Sequence, residues 1–191
     1  MERDFSFARS VKEFVKFLLI ASAIALPIRY FIAQPFIVKG ASMVPTFENQ
    51  EYLVIDELSY FLREPKRGEV IVFRYPLDTR QFFIKRIIGL PGEQVYGENG
   101  QIKIRSSDKV ITLDETYLSS EALTSRDNFP SMTLGEGQYF VLGDNRLHSF
   151  DSRSWGTIGR EYIVGVARLI LFPFTKLQLI EPPAYASVTN G

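Results

Sequence analysis

One apolar run, residues 14–33, constrains the fold of this chain more than any other feature. It reads FVKFLLIASAIALPIRYFIA, and a membrane-spanning helix needs about 20 residues that are mostly apolar. Its two cations fit only if Lys16 and Arg29 extend their side chains toward opposite membrane interfaces. The run therefore predicts one transmembrane helix at residues 14–33.

The basic residues at the start of the run predict the direction in which this helix would cross. They are Arg3, Arg9, Lys12 and Lys16. Because cytoplasmic flanks of membrane helices are enriched in lysine and arginine, we expect residues 1–13 in the cytoplasm. Residues 34–191 would then form an extracytoplasmic domain at the cell membrane, with the lipid bilayer as one partner.

Two other interpretations of the apolar run stay open. The triplet Ala21-Ser22-Ala23 has the small-x-small form of a signal-peptide cleavage site, although it lies inside the run rather than after it. The run could also be a helix that is buried in the core of a globular domain.

The rest of the chain has the pattern of a mainly β domain with many strands. Short stretches rich in β-branched and aromatic residues alternate with turn residues. The predicted strands are residues 35–39, 51–55, 69–75, 81–88, 138–142 and 162–172. A hairpin is predicted around Asn99-Gly100. Residues 105–136 are polar and predict an irregular excursion or a small cap.

The composition excludes several kinds of site. Basic and acidic residues number 22 each, so no overall charge favours nucleic acid as a partner. The chain has no cysteine, which excludes disulfides, a thiol nucleophile and cysteine zinc sites. His148 is the only histidine, so one chain cannot build a multi-histidine metal site. We therefore expect neither a metal nor another cofactor.

Ser42 is the first candidate catalytic residue. It lies in GASMVPT, residues 40–46, a few residues after the apolar run, where its hydroxyl has little packing value. A serine becomes a nucleophile only when a neighbouring base accepts its proton. Besides histidine, the other known base is a neutral lysine amine, and a lysine loses its charge near pH 7 only when it is buried.

Lys85 is the candidate for that base. On the predicted strand 81–88 it shares a face with Phe83 and Ile87, because side chains alternate between the two faces. The same alternation places Arg86 between two isoleucines on the other face, so the pattern alone does not single out Lys85. Arginine stays protonated, however, and cannot act as a base. The competing interpretation is a lysine that extends from a strand edge into solvent.

A third polar stretch, residues 143–156, reads GDNRLHSFDSRSWG and lies between a strand and a glycine turn. Loops of this kind often place functional side chains on a rigid sheet. The stretch could equally be a self-contained surface loop, with Asp144–Arg146 and Asp151–Arg153 as local ion pairs.

Together these stretches resemble the bacterial type I signal peptidases, the membrane-anchored serine–lysine proteases of the leader peptidase family. The resemblance covers most of residues 14–172. It rests on SMVPT at 42–46, RGEVIVF at 67–73, KRIIGLPG at 85–92, and GDNR through DSR at 143–153, in the family's order and spacing. It implies a large, coiled antiparallel β-sheet domain with a small cap at residues 93–137, behind one transmembrane helix.

The resemblance also implies a role for each site residue. Ser42 would attack the scissile carbonyl and its backbone N–H would bind the oxyanion, Lys85 would be the general base, and Ser149 would orient the lysine. The residues that would support the loop are Asp144, Arg146, Asp151 and Arg153. Gly40 stands where some family members carry a serine whose hydroxyl helps to bind the oxyanion, so that donor is missing here.

The family removes N-terminal signal peptides from exported preproteins, after a small-x-small site such as Ala-x-Ala. We therefore expect such preproteins as the substrate, bound as an extended strand, and an enzyme that acts as a monomer. Residues 33 and 42 can lie at most about 30 Å apart, so the reaction would take place near the membrane surface. Phe36, Ile37 and Met43 are hypothesised to enter the lipid.

Three competing functions stay open. One is a soluble, self-cleaving protease of the repressor type, which usually carries a DNA-binding helical domain that we do not expect here. Another is a membrane-tethered β domain that binds peptides without cleaving them. The last is a hydrolase that uses His148 with Ser149 and Asp151, although residues so close in sequence rarely take the geometry of a triad.

Overall fold

The computed structural model of the chain describes residues 2–27, 34–107, 109–119, 128–185 and 188–189. Its first element is a helix, α1, at Glu2–Pro27. Among these described residues no helix is both long enough and apolar enough to cross a membrane. The predicted anchor at residues 14–33 runs past the end of α1 into residues outside the described ranges.

The apolar side chains of α1 are exposed where the structure describes them. Phe14, Phe17 and Leu19 are 65%, 67% and 66% exposed. The interpretation of this run as a helix in the core of the domain is therefore wrong for this part of α1.

The described residues after α1 form a mainly β domain. Its strands are β1 (Gln34–Ile37), β2 (Tyr52–Asp56), β3 (Val70–Tyr75), β4 (Asp78–Gly89), β5 (Gln94–Glu98), β6 (Gln101–Ser106), β7 (Lys109–Thr112), β8 (Phe129–Thr133), β9 (Gln138–Leu142), β10 (Ile158–Gly159), β11 (Ile163–Phe172), β12 (Gln178–Leu179) and β13 (Val188–Thr189). Two short helices, α2 (Ser59–Leu62) and α3 (Ser152–Trp155), lie between them. The strand pairs are antiparallel throughout.

The main sheet has the strand order β1-β2-β11-β3-β4-β9-β10, and β12 pairs with β11 beside this path. The central strand β3 reads VIVFRY, and all its side chains except Arg74 are buried. A run of β-branched and aromatic residues is typical of a strand that is covered on both faces. β4 lies between β3 and β9 in the middle of the sheet. Its pairing with β9 begins at Arg86, so residues 80–85 present an open edge.

The second sheet has the order β13-β7-β6-β5-β8. The β5–β6 hairpin turns at Asn99 and Gly100, which have φ values of 54° and 76° as an Asn-Gly hairpin turn requires. Val95, Ile102 and Ile104 of this sheet are fully buried in one cluster with apolar side chains at the ends of β4 and β9. The second sheet is thereby packed against the main sheet behind the 143–153 segment.

The prediction of a mainly β antiparallel domain is confirmed, and so are all six predicted strands and the Asn99-Gly100 hairpin. The expectation of an irregular excursion or a small cap at residues 105–136 was wrong about irregular structure at residues 105–106, the end of β6, and at two further stretches, Lys109–Thr112 and Phe129–Thr133. Both are short strands that obtain their backbone partners from the β5–β6 hairpin, so a short sequence window gives little sign of them.

The hypothesis that three apolar residues near Ser42 enter lipid was wrong for one of them. Met43 is only 1% exposed, because it packs with Phe47 and Leu53 in the core on one face of the main sheet. Ile37 is 45% exposed, and Phe36 is half-buried against the same core. Met43 therefore anchors the turn that carries Ser42 to the sheet.

Candidate active site

The turn that carries Ser42 follows β1 and is held at several points. Gly40 has a φ of 90°, and its N–H donates to Asn49 Oδ1 at 3.0 Å. The Phe47 N–H donates to the Met43 carbonyl at 2.9 Å, and both side chains are buried in the core. Ser42 itself is half-buried and lines a cleft.

Lys85 brings its amine from β4 to this hydroxyl. Lys85 Nζ lies 2.8 Å from Ser42 Oγ and 3.0 Å from the Ile84 carbonyl oxygen. The lysine is only 4% exposed, and its amine lies 5.7 Å from the centre of the Phe83 ring. The expected strand face is therefore present, and Lys85 does not extend into solvent.

Burial is the main influence on the basicity of this lysine. Desolvation lowers the pKa of Lys85 to about 8, while the charges of Asp151 and Asp144 act in the opposite direction. An amine with this pKa is partly neutral near pH 7 and can accept a proton from a hydroxyl. The amine therefore lies within hydrogen-bond distance of the hydroxyl and has a lowered pKa, two properties expected of a base that activates a serine.

The 143–153 segment holds the Ser42 turn from the other side. The Asn145 N–H donates to the Ser42 carbonyl at 3.0 Å, and Asn145 Nδ2 donates to the Ala41 carbonyl at 3.1 Å. Only glycine fits at position 143, because a Cβ there would lie 2.5 Å from the Ser42 carbonyl oxygen. This close contact fixes the position of the Ser42 turn relative to residues 143–153.

Ser149 lies at the same junction. A Cβ on Gly143 would also lie 2.2 Å from Ser149 Oγ, so the Ser149 hydroxyl and the Ser42 carbonyl both lie close to Gly143. Ser149 Oγ is buried and has no hydrogen-bond partner within the part of the chain that the structure describes. Its role as the residue that orients Lys85 stays a prediction.

The ion pairs of residues 143–153 differ in part from the two local pairs, Asp144–Arg146 and Asp151–Arg153, that the sequence suggested. Asp151 does pair with Arg153, with Nε–Oδ1 and Nη2–Oδ2 distances of 2.9 and 2.8 Å. Asp144 instead pairs with Arg86 of β4, at 2.9 Å for Nε–Oδ1 and 2.6 Å for Nη2–Oδ2. The local Asp144–Arg146 pair is therefore wrong.

Arg146 reaches a carboxylate that lies outside the loop. Its guanidinium donates to both oxygens of Glu115, with Nη1–Oε2 at 3.0 Å, and Nε donates to the Gly143 carbonyl at 3.2 Å. Glu115 follows β7 of the second sheet. This ion pair therefore connects the region predicted as a cap to residues 143–153, here named the active-site loop.

Sequence reasoning missed four residues that support the site. They are Thr46, Arg86, Glu115 and Tyr117. Thr46 Oγ1 donates to Asp144 at 2.5 Å, and the Arg86 guanidinium lies 4.1 Å from the centre of the Tyr117 ring. For Arg86 a signal was present, since a charged residue between isoleucines on a buried strand needs a partner. The sequence of the strand alone did not show which carboxylate Arg86 would contact.

A cleft of about 760 Å³ leads to the dyad. Residues 36–42 line one wall and residues 80–85 the other, with His148 and Phe150 at the rim. Apart from Lys85 and Ser42 the inner wall is largely aliphatic and aromatic. Within the described ranges no group of three or more His, Cys, Asp or Glu residues could hold a metal ion, and the expectation of a site without metal stays a prediction.

Comparison with known proteins connects this geometry to a family. The family model described as "Signal peptidase, peptidase S26" matches residues 11–172. The chain belongs to this family. It is 36% identical over 173 residues to the probable signal peptidase I-1 of Synechocystis sp., covering 87% of this chain and 85% of the relative. Against signal peptidase I S of Bacillus subtilis it is 32% identical over 179 residues, covering 89% and 94%.

A crystal structure of a signal peptidase I from Enterococcus faecalis superposes with a TM-score of 0.46 and 33% identity, over 55% of this chain and 97% of that chain. Membership of the S26 family, together with relatives named signal peptidase I along most of the chain, confirms the resemblance. The protein is a serine endopeptidase of the kind that removes signal peptides from preproteins.

The glycine at position 143 should be essential for this activity. Gly143→Ala places a methyl group against the Ser42 carbonyl and Ser149 Oγ. We expect kcat to fall at least about 100-fold, since a displacement of about 1 Å at reacting groups has this effect. Peptide cleavage measures it. Gly135→Ala is the matched control, because its methyl would meet only the flexible Gln138 side chain, at 3.2 Å. Full activity of Gly143→Ala would contradict the tight junction.

Proposed function

We propose that Ser42 is the nucleophile and Lys85 the general base with which this peptidase cleaves signal peptides. The observation that carries the proposal is the 2.8 Å separation between a buried lysine amine and the serine hydroxyl. Ser42 Oγ attacks the scissile carbonyl carbon while its proton passes to Lys85 Nζ. The C–N bond then breaks, and the same proton goes to the leaving amine. The Lys85 amine then deprotonates a water molecule that attacks the acyl ester; the ester C–O bond breaks, the proton passes from Lys85 Nζ to Ser42 Oγ, and the carboxyl product leaves.

The oxyanion is proposed to bind the Ser42 backbone N–H. Gly40 contributes no side-chain donor, and its φ of 90° explains why glycine is suited to this position. A serine there would have to adopt a left-handed conformation that costs about 1–2 kcal/mol. No atom lies within 4 Å of the Cβ position of Gly40, so this side of the oxyanion site is open space.

Ser149 is proposed to orient the Lys85 amine. A buried hydroxyl without a partner is costly, by about 1–3 kcal/mol, so such an atom is expected to have a function. Ser149 Oγ is an atom of this kind and lies in the junction between the loop and the Ser42 turn. Asp144, Arg146, Asp151 and Arg153 are proposed to hold that loop in place through their ion pairs.

The substrate is proposed to bind as a strand between β1 and β4. β1 pairs only with β2 among the described strands, and β4 residues before Arg86 pair only with β3. These two free edges form the walls of the cleft. Because alternate residues of an extended peptide face the same way, the two small residues of a small-x-small site would both face the aliphatic wall.

The histidine-based alternative has less support. His148 is exposed at the rim, and its Nδ1 lies 3.2 Å from Asn145 Oδ1. The buried base next to the nucleophile is Lys85. A peptide-binding domain without catalysis would not need a lysine whose pKa is lowered by burial, because such burial is unfavourable for a purely structural side chain.

Replacing either member of the dyad should abolish cleavage. We expect Ser42→Ala and Lys85→Ala to lower kcat at least about 1,000-fold, because each removes a step that the other cannot replace. Ser149→Ala should cause a smaller loss, and His148→Ala should retain activity. The assay is cleavage of a preprotein by detergent-solubilised protein.

A mixture of the Ser42→Ala and Lys85→Ala chains should stay inactive, because one chain supplies both groups and the enzyme is proposed to act as a monomer. Activity of the mixture would indicate a site shared between chains. Retention of activity by either single variant would end the dyad proposal.

Backbone methylation of the substrate tests the proposed strand pairing. A peptide N-methylated at one amide in the four residues before its cleavage site should show a KM about tenfold higher, because a methylated amide cannot donate to a strand edge. The matched control carries the methyl group eight or more residues before the cleavage site. Equal KM values for the two peptides would show that the substrate does not bind as a strand.

The run at residues 14–33 is proposed to anchor the enzyme in the cell membrane, with residues 1–13 in the cytoplasm and residues 34–191 outside. The exposed apolar side chains of α1 support a lipid contact. After alkaline carbonate extraction we expect the full chain to stay with the membranes and a variant that starts at residue 34 to be released. Release of the full chain, or an amino terminus found after Ala23, would contradict the anchor.

A further inference from the structure

Two buried carboxylates lie close enough to the dyad to oppose its function. Asp144 and Asp151 are 1% and 0% exposed, and both act on Lys85 in the direction that raises its pKa. A carboxylate beside an amine favours the charged ammonium form. Left to themselves, these two groups would hold the proton on Lys85 and leave Ser42 without a base.

Each of these carboxylates forms a bidentate ion pair with an arginine. Arg86 donates to both oxygens of Asp144, at 2.9 and 2.6 Å, and Arg153 donates to both oxygens of Asp151, at 2.9 and 2.8 Å. The Arg86–Asp144 pair is 2% and 1% exposed, so solvent does not screen it. Two parallel hydrogen bonds from a guanidinium are the strongest way to hold a carboxylate.

We infer that Arg86 and Arg153 are positioning residues that engage Asp144 and Asp151, so that each carboxylate is a weaker counter-ion for a protonated Lys85. The inference rests on the proposed Ser42–Lys85 dyad and adds a means by which the proton affinity of its base is limited. The two carboxylates hold the active-site loop in place, and the two arginines oppose the effect of their charge on Lys85.

The local arrangement of β4 makes this possible. Lys85 and Arg86 are consecutive on a strand, so they face opposite sides of the sheet. Lys85 faces the cleft, and Arg86 meets Asp144 behind it together with the Gly68 carbonyl at 2.8 Å and the Tyr117 ring. One strand thereby delivers both the base and the cation that neutralises the nearest loop carboxylate.

Among the residues that the structure describes, the other charged groups around the dyad are paired, neutral or exposed. Glu115 is paired with Arg146, and burial raises the pKa of Tyr117 well above its ordinary value, so the phenol is neutral. At the cleft rim Arg80 is paired with Asp78, and both His148 and Arg80 are exposed. Among the described residues none of these groups offers Lys85 an unpaired negative charge, and Asp151 and Asp144 are the two carboxylates that act on its pKa.

The pH dependence of kcat/KM for a soluble peptide tests the inference. Because the base must be neutral, the kcat/KM of the wild type should rise with pH. The midpoint of this rising limb of the pH profile should lie at about pH 8. Arg86→Met leaves Asp144 unpaired and should move this limb upward by about one pH unit or more. Asp144→Asn removes the anion and leaves Arg86 unpaired, so the limb should move downward.

The double variant Arg86→Met with Asp144→Asn should return the limb to the wild-type position. A purely structural role predicts lower activity in both single variants without shifts of opposite sign. If Arg86→Met fails to fold, Arg153→Gln decides, since Arg153 is 19% exposed and less dependent on burial. Its limb should also move upward.

The matched control is Arg63→Gln, which removes an arginine from another partly buried carboxylate pair, Arg63–Glu69, outside the active site. Its limb should stay in place. Unmoved limbs in Arg86→Met and Arg153→Gln, or shifts of the same sign in Arg86→Met and Asp144→Asn, would overturn the inference while leaving the dyad intact. Activity of Lys85→Ala would instead overturn the dyad itself.

Discussion

The contact between Lys85 and Ser42 exists because a lysine side chain has been removed almost completely from water. An ammonium group is stabilised by solvent, so the amine loses its proton more easily in this environment. In water the same two side chains would form an ordinary hydrogen bond from an ammonium to a hydroxyl, with no catalytic value. The rest of the structure therefore has to keep solvent out while leaving a cleft for the substrate.

The core achieves this from both faces of the main sheet. Met43 and Phe47 anchor the Ser42 turn on one face, while Phe83 and Ile87 flank Lys85 on the other. The active-site loop then closes the junction, with Gly143 in direct contact with the turn. Because close-packed interiors resist small displacements, the Ser42 hydroxyl and the Lys85 amine are held at a fixed separation.

The ion pairs around this junction hold the active-site loop in position more than they stabilise the fold. A buried pair gains little net free energy, whereas loss of one partner is strongly destabilising, because a buried charge is then left alone. Glu115, in the segment that follows β7 of the second sheet, pairs with Arg146, and Arg86 of the main sheet pairs with Asp144. The second sheet is therefore part of the support of the active-site loop as well as a cover for one end of the domain.

Much of the architecture could be predicted from local patterns, and the failures have physical causes. Strands with strong apolar patterns, such as Val70–Tyr75 and Gln138–Leu142, were found almost to the residue. The strands Lys109–Thr112 and Phe129–Thr133 were missed because pairing with the β5–β6 hairpin, and not their own pattern, stabilises them. Met43 was placed in lipid because exposure cannot be read from a single apolar residue in a turn.

By itself the sequence determined the kinds of chemistry that were possible: no thiol, a single histidine, a serine in a tight turn, and a lysine on a strand face with Phe83 and Ile87. Only the tertiary structure decided which charges meet. Asp144 lies two residues from Arg146 yet pairs with Arg86, which is 58 residues away. The physical reason is that strand alternation is a local property, whereas the partner of a buried charge depends on which distant segments the sheet topology brings together.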